Sequence, residues 1–127
     1  MTNTLYRENI MEHYRNPRNY GKLENPDLEY LGENLSCGDS LRFTLKMKKE
    51  KLDEIRFTGE ACAISKAAAS MLSEKILGIF IEDIMKIRKD DILKMLNIEI
   101  GPVRMKCALL PLESIQTAIR GKNDKSA

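Results

Sequence analysis

Residues 41–48, with the sequence LRFTLKMK, carry the alternation of apolar and polar side chains that decides the fold. The apolar members of the stretch are Leu41, Phe43, Leu45 and Met47. A period of two predicts a β-strand with one buried face and one wet face. After a polar connection at 48–51, Ile55 and Phe57 share one face of residues 52–58, which therefore form the predicted hairpin partner.

Helical spacing surrounds this hairpin on both sides. The predicted helices are residues 5–14, residues 62–77, two short helices at 81–87 and 91–96, and a last helix from near Cys107 to Arg120. We expect Gly78 to cap the second of them and Asp90 to cap the fourth. Because proline is tolerated only in the first turn of a helix, Pro111 predicts that the regular part of the last helix begins just past Cys107. Residues 100–103 are expected to be extended or turned.

Strands followed by helices predict an α+β fold. We expect a small antiparallel β-sheet of about three strands, to which residues 28–35 add a strand interrupted by Gly32. Helices pack on one face of this sheet, with N-terminal and C-terminal helices flanking it. Residues 1–121 are predicted to form a single domain, and residues 122–127 a disordered polar tail.

Composition excludes several classes of protein. The chain has 127 residues, 43% of them apolar, which suits one globular domain. Its net charge of +2 falls short of the basic excess typical of nucleic-acid binders. The longest nearly apolar run, 76–81, is far too short to cross a bilayer, and the start of the chain has no secretion-signal pattern. We therefore expect a cytoplasmic protein that binds neither nucleic acid nor membrane.

Cysteines mark the candidate site. There are three, an odd number that argues against a disulfide framework and favours metal binding or thiol chemistry in a reducing compartment. The stretch 34–40 places Cys37 and Asp39 on either side of Gly38, whose freedom of backbone angle lets both side chains converge. Cys62 and Cys107 each lie at a predicted element boundary. Our hypothesis is that Cys37, Asp39, Cys62 and Cys107 meet.

Such a group would bind a metal. Unpaired N–H groups at the predicted helix starts favour thiolates at Cys62 and Cys107, and Lys66, Arg104 and Lys106 add positive charge nearby. Three thiolates and one carboxylate can complete a zinc shell or the terminal positions of an iron–sulfur cluster. A carboxylate is a hard ligand for a soft centre, so the site should hold its cargo loosely.

The order of several motifs resembles the U-type iron–sulfur cluster assembly scaffold family, which includes the sulfur-mobilisation branch and the N-terminal domain of the nitrogen-fixation scaffold. The motifs are YRNPRNYG at 14–21, CGD at 37–39, GEACAIS at 59–65 and MKCA at 105–108. The likeness covers residues from about Leu5 to Arg120. It implies a small antiparallel sheet packed by helices, with Cys37, Asp39, Cys62 and Cys107 as the ligands of a metal or cluster.

The resemblance also implies partners. The sulfur donor would be a pyridoxal-phosphate cysteine desulfurase, and either Cys107 or Cys37 would accept the sulfur as a persulfide. The cargo would be a transient [2Fe–2S] or [4Fe–4S] cluster passed to recipient apoproteins, with zinc as an alternative occupant of the same site. Residues 100–104 (IGPVR) are in register with the family's Leu-Pro-Pro-Val-Lys motif, which is read by an Hsp70-type chaperone, but lack one of its prolines.

Three hypotheses follow from these observations. The first is a scaffold that assembles a transient cluster and delivers it. The second is a zinc-dependent sulfur acceptor, or sulfurtransferase, because Lys106 stands where many scaffolds have histidine and thus resembles the zinc-binding branch. That branch typically carries an insertion between the second and third cysteines, which this chain lacks. The third is a structural or regulatory module whose cysteines do not converge.

Overall fold

A computed structural model describes residues 2–126, and the side chains of residues 4–121. Five helices and three strands follow one another in the described part of the chain. They are α1 (Thr2–Arg15), β1 (Leu28–Asn34), β2 (Asp39–Lys48), β3 (Lys51–Glu60), α2 (Ala63–Ile76), α3 (Ile81–Ile84), α4 (Lys89–Leu96) and α5 (Pro102–Ser126). The predicted α+β class, the three-stranded sheet and the two terminal helices are confirmed.

The sheet is antiparallel in the order β1-β2-β3. Phe43 of β2 pairs with Phe57 of β3, and Leu45 pairs with Ile55, so the apolar sides of the two strands face the same way. Leu41, Phe43, Leu45, Ile55 and Phe57 are completely buried. The alternation read from the sequence therefore describes the packed face correctly.

Small residues set how closely the helices approach this face. Helix α5 packs on β1, and at Gly32 a β-carbon would collide with Ser114 of α5. Helix α2 presents Ala67, Ala68 and Ala69, all buried, to the core. Because both helices approach the sheet closely, the N-terminal turn of α2 and the first turns of α5 lie beside the same end of the sheet.

Helix α5 corrects the sequence prediction. It begins at Pro102, and Pro111 lies inside it, whereas the position of Pro111 predicted a start just past Cys107. A proline inside a helix removes the N–H that would bond the carbonyl four residues earlier, here that of Cys107. The Ser65 hydroxyl of α2 donates to that carbonyl instead, at 2.7 Å, so a tertiary contact compensates the missing helical bond.

Smaller differences concern element ends. Residues 102 and 103 are helical rather than extended. The cap of α4 is not Asp90: the carboxylate of Asp91 accepts the N–H of Arg88, which precedes the helix. Helix α5 continues to Ser126, beyond its predicted end at Arg120. The side chains of residues 122–126 and the whole of Ala127 lie outside the described part of the chain. The disorder predicted for residues 122–127 therefore stays a prediction.

Among the described residues, none of the helices combines the length and the apolar character that crossing a membrane requires.

Candidate metal centre

The turn that joins β1 to β2 builds the first half of the site. Residues 35–38 form this turn, closed by the N–H of Cys37 on the carbonyl of Asn34 at 3.2 Å. Gly38 has a φ of +71°, which a residue with a β-carbon adopts only with strain. The glycine lets the chain reverse within the turn, so that half-buried Cys37 and fully buried Asp39 lie next to each other.

Two helices supply the other thiols. Cys62 is the residue immediately before α2, in agreement with the helix start predicted there, and its backbone angles are extended. Cys107 lies in the second turn of α5 and is 2% exposed. The three cysteines are free thiols.

Three of the four predicted side chains form a tight group. The ligand atoms of Cys37, Asp39 and Cys107 all lie within 4.8 Å of one another. Sγ of Cys107 lies 3.1 Å from Sγ of Cys37. Cys62 joins the group through the carboxylate, because its Sγ lies 3.9 Å from Oδ2 of Asp39. The side chains thus converge, and their role as ligands stays a prediction.

Asp39 is tied to α2 through both of its oxygens. Its Oδ1 accepts the N–H of Cys62 at 2.8 Å, which satisfies a free donor at the start of the helix. Its Oδ2 lies 3.0 Å from the hydroxyl oxygen of Ser65. The sequence motif GEACAIS contains Ser65, to which the sequence pattern gives no role. The signal that pointed to it is its place three residues after Cys62, which puts it in the first turn of the helix that faces the site.

Cys107 differs from its prediction. We expected a helix start and nearby cations to favour a thiolate there, but the helix begins at Pro102, so the free N–H groups lie elsewhere. Burial, followed by the contacts with Cys37, Asp39 and Cys62, raises the pKa of the Cys107 thiol far above its ordinary value. The raised pKa favours the protonated thiol rather than the predicted thiolate. The side chains of Arg104 and Lys106 are exposed.

Lys66 also departs from its expected role. Its ammonium lies 5.0 Å from the centre of the Tyr20 ring and 5.7 Å from that of Tyr14. A cation held over aromatic faces is directed at those rings rather than at the thiol of Cys62.

The donor set fits a soft metal ion or the terminal positions of a small cluster. Tetrahedral zinc with Zn–S bonds of about 2.3 Å separates two sulfur ligands by about 3.8 Å. The pair at 3.1 Å would need to open by less than an ångström, and Cys37 is half-buried in the turn between β1 and β2. Three sulfurs and a carboxylate oxygen satisfy either occupant in number and type.

Known proteins resemble this chain over most of its length. Residues 5–127 match the family model described as the NifU-like N terminal domain. The zinc-dependent sulfurtransferase SufU of Bacillus subtilis is 35% identical, over 91% of this chain and 90% of its own length. The iron-sulfur cluster assembly scaffold protein IscU of Escherichia coli K12 is 30% identical, over 94% of this chain and 95% of its own.

A solved structure matches the fold as well. It is a putative iron-sulfur cluster assembly scaffold protein for the SUF system from Fervidobacterium islandicum AW-1. Its TM-score is 0.81 at 27% identity, and the match covers 94% of this chain and 99% of that one. With nearly the whole length covered by the family model, the chain belongs to the NifU-like N-terminal domain family.

Proposed function

We propose that this protein is a scaffold on which a transient iron–sulfur cluster is assembled and from which the cluster is delivered to apoproteins. The observation that carries the proposal is the convergence of Cys37, Asp39 and Cys107, with Cys62 in contact with Asp39. Three sulfur donors and a carboxylate at the end of the sheet match a cluster that is held and then released. The cluster is cargo in this function, and the iron and sulfide content after reconstitution would establish how many iron atoms it contains.

The sulfur would come from a pyridoxal-phosphate cysteine desulfurase as a persulfide. A thiolate of this chain attacks the outer sulfur, and the donor cysteine leaves as a thiolate, so one sulfur changes hands without a change in electron count. Of the two candidates, Cys37 is half-buried in a turn, whereas Cys107 is 2% exposed with a raised pKa. Accessibility thus favours Cys37 as the acceptor in the metal-free protein.

Anaerobic reconstitution tests the proposal. The purified protein would be mixed with ferrous iron, cysteine and a desulfurase, and the visible charge-transfer absorption would be recorded with the iron and sulfide content. We expect wild type to develop the absorption and Cys37→Ser to lose it. Absence of the absorption in wild type, or its persistence unchanged in Cys37→Ser, would contradict the scaffold function. Ser114→Ala, which removes a buried hydroxyl bonded to Leu110 of its own helix, is a suitable control.

A second candidate function is a zinc-dependent sulfur acceptor. The relative at 35% identity bears that description, and this chain has Lys106 next to the third cysteine. Here zinc would be the resident metal at the same four side chains, and the chain would take sulfur from the desulfurase. Stimulated desulfurase turnover without any iron would favour it, and a protein that retains no zinc from metal-replete buffer would exclude it.

A chaperone partnership is a finer part of the proposal. Residues 101–104 are exposed at the start of α5, and Val103 alone is 76% exposed. An Hsp70-type chaperone that reads this segment would bind a peptide of residues 98–106 and lose affinity after Val103→Asp. We place the protein in the cytoplasm, where a reducing environment keeps the three thiols free.

A further inference from the structure

We infer that Ser65 is a positioning residue that sets how firmly Asp39 is held, and therefore how quickly the metal centre exchanges its metal. The inference rests on the proposed function, in which Asp39 is a ligand. Ser65 lies in the first turn of α2 and is completely buried. Its hydroxyl touches the site from behind the carboxylate and has no access to solvent.

The hydroxyl faces two acceptors with one proton. Its oxygen lies 3.0 Å from Oδ2 of Asp39 and 2.7 Å from the carbonyl oxygen of Cys107. A serine hydroxyl donates one hydrogen bond at a time. Asp39 therefore has one permanent anchor, the N–H of Cys62 on Oδ1 at 2.8 Å, and one intermittent anchor on Oδ2.

Pro111 creates the competition for this proton. In an uninterrupted helix the N–H of residue 111 would bond the carbonyl of Cys107, but proline has no N–H. A buried carbonyl without a partner is costly, so the Cys107 carbonyl draws the Ser65 proton away from Asp39. A substitution at residue 111 of α5 thus acts on a carboxylate that belongs to β2.

The position of the proton then decides the state of the carboxylate. When Ser65 donates to Oδ2, both oxygens are fixed and the carboxylate keeps its orientation towards Cys37 and Cys107. When Ser65 donates to the Cys107 carbonyl, the N–H of Cys62 and the long contact of the Cys62 thiol with Oδ2 at 3.9 Å hold the carboxylate, which can then rotate more easily away from the metal. Outer-shell partners that orient a ligand raise metal affinity, so the first state holds metal and the second favours its exchange.

Zinc release measures this effect without any cluster chemistry. Zinc-loaded protein is mixed with an excess of a chromophoric chelator, and the rate of release is followed by absorbance. We expect Ser65→Ala to release zinc about tenfold faster, the lower end of the effect of an outer-shell partner. We expect Pro111→Ala, which restores the N–H, to release zinc about twofold more slowly, because Ser65 is then free to donate to Asp39 throughout.

Matched variants separate positioning from general packing. Ser73→Ala removes an equally buried serine of α2 whose hydrogen bonds go to Ser70 and Asn19, and it should release zinc at the wild-type rate. Ser65→Thr keeps the hydroxyl and should also retain that rate. In an Asp39→Ala background, Ser65→Ala should have no further effect, because the residue acts through Asp39. Urea unfolding of each metal-free variant confirms that it is folded.

The outcomes distinguish a failure of the proposed function from a failure of the role inferred for Ser65. A wild-type protein that binds neither zinc nor a cluster would refute the proposed function itself. Two results in a wild type that binds zinc would refute only the role of Ser65. The first is zinc release from Ser65→Ala at the wild-type rate. The second is an acceleration of release by Ser65→Ala that is equally large in the Asp39→Ala background. Changes of the same sign in Ser65→Ala and Pro111→Ala would do so too, since the shared proton requires opposite signs.

Discussion

Helix α2 carries two buried polar clusters that look alike in composition but differ in balance. One, which we call the Ser70 cluster, joins α1 and the following loop to α2. The other, which we call the thiol cluster, joins β2 and α5 to the start of α2. The members of the Ser70 cluster are His13, Arg18, Asn19, Ser70 and Ser73. The members of the thiol cluster are Cys37, Asp39, Cys62, Ser65 and Cys107.

Every polar group of the Ser70 cluster has its own partner. Ser70 accepts the backbone N–H of Arg18 at 2.8 Å, and its hydroxyl forms a hydrogen bond with Nδ1 of His13 at 2.7 Å. Ser73 accepts from Asn19 and donates to the Ser70 carbonyl. In the thiol cluster one hydroxyl serves two acceptors, and sulfur lies against sulfur. The Ser70 cluster is complete by itself, whereas the thiol cluster is the one that the proposed metal would complete.

The largest test of this contrast is Cys107→Ser. Loss of a thiolate ligand should lower zinc affinity by at least about 100-fold, more than the loss of an outer-shell partner. The hydroxyl fills nearly the same volume, so the free energy of unfolding of the metal-free protein should change little. Competition with a chelator of known affinity measures the first quantity and urea unfolding the second. Unchanged zinc affinity would remove Cys107 from the ligand set.

Ser70→Ala should show the reverse behaviour. It leaves the N–H of Arg18 and the ring nitrogen of His13 without partners in the core, which costs about 1–3 kcal/mol of unfolding free energy. Zinc affinity and release should stay at wild-type values, because the cluster does not touch the four candidate ligands. If Ser70→Ala weakened zinc binding as strongly as stability, the two clusters would not be independent.

The contrast also explains what could be predicted from the sequence. The alternation of residues 41–48 depends only on neighbouring residues, and it correctly predicts which face of the strand is buried. Cys62 was placed correctly at the start of α2 because Gly59 and a change of period mark that boundary. Convergence of the four side chains was inferred from their chemistry and from family resemblance, not from spacing.

The errors that bear on the site involve partners distant in sequence. Pro111 appeared to forbid an earlier start of α5, because the hydroxyl of Ser65, which replaces the lost hydrogen bond, lies on another helix. Lys66 was assigned to Cys62 because they are neighbours along the chain, but Tyr14 and Tyr20 approach it from other segments. Local pattern cannot reveal which groups a tertiary contact will satisfy, and for this reason the role of Ser65 emerged only from the structure.

A pH titration of stability sharpens the contrast at the Ser70 cluster. Burial, and then the charge of Arg18, lowers the pKa of His13, against the opposing effect of Glu74 and Glu12. The folded state therefore binds fewer protons than the unfolded state, and stability falls as pH drops from about 6.5 through the lowered pKa. His13→Gln should flatten the unfolding free energy of metal-free protein in that range. If the unfolding free energies of wild type and His13→Gln fell equally steeply with pH, the pH dependence of stability would come from other groups.

The smallest expected effect belongs to Lys106, at the exposed rim of the thiol cluster. Zinc with three thiolates and one carboxylate carries net negative charge, which a nearby ammonium offsets. Because the side chain is exposed, salt screens this attraction, and Lys106→Glu should weaken zinc affinity only about two- to fivefold. The effect should shrink between low salt and about 1 M salt, whereas that of Ser65→Ala, which acts inside the protein, should not. No change at low salt would show that the ammonium points away from the site, and a salt-independent loss would mean that residue 106 acts by contact rather than by charge.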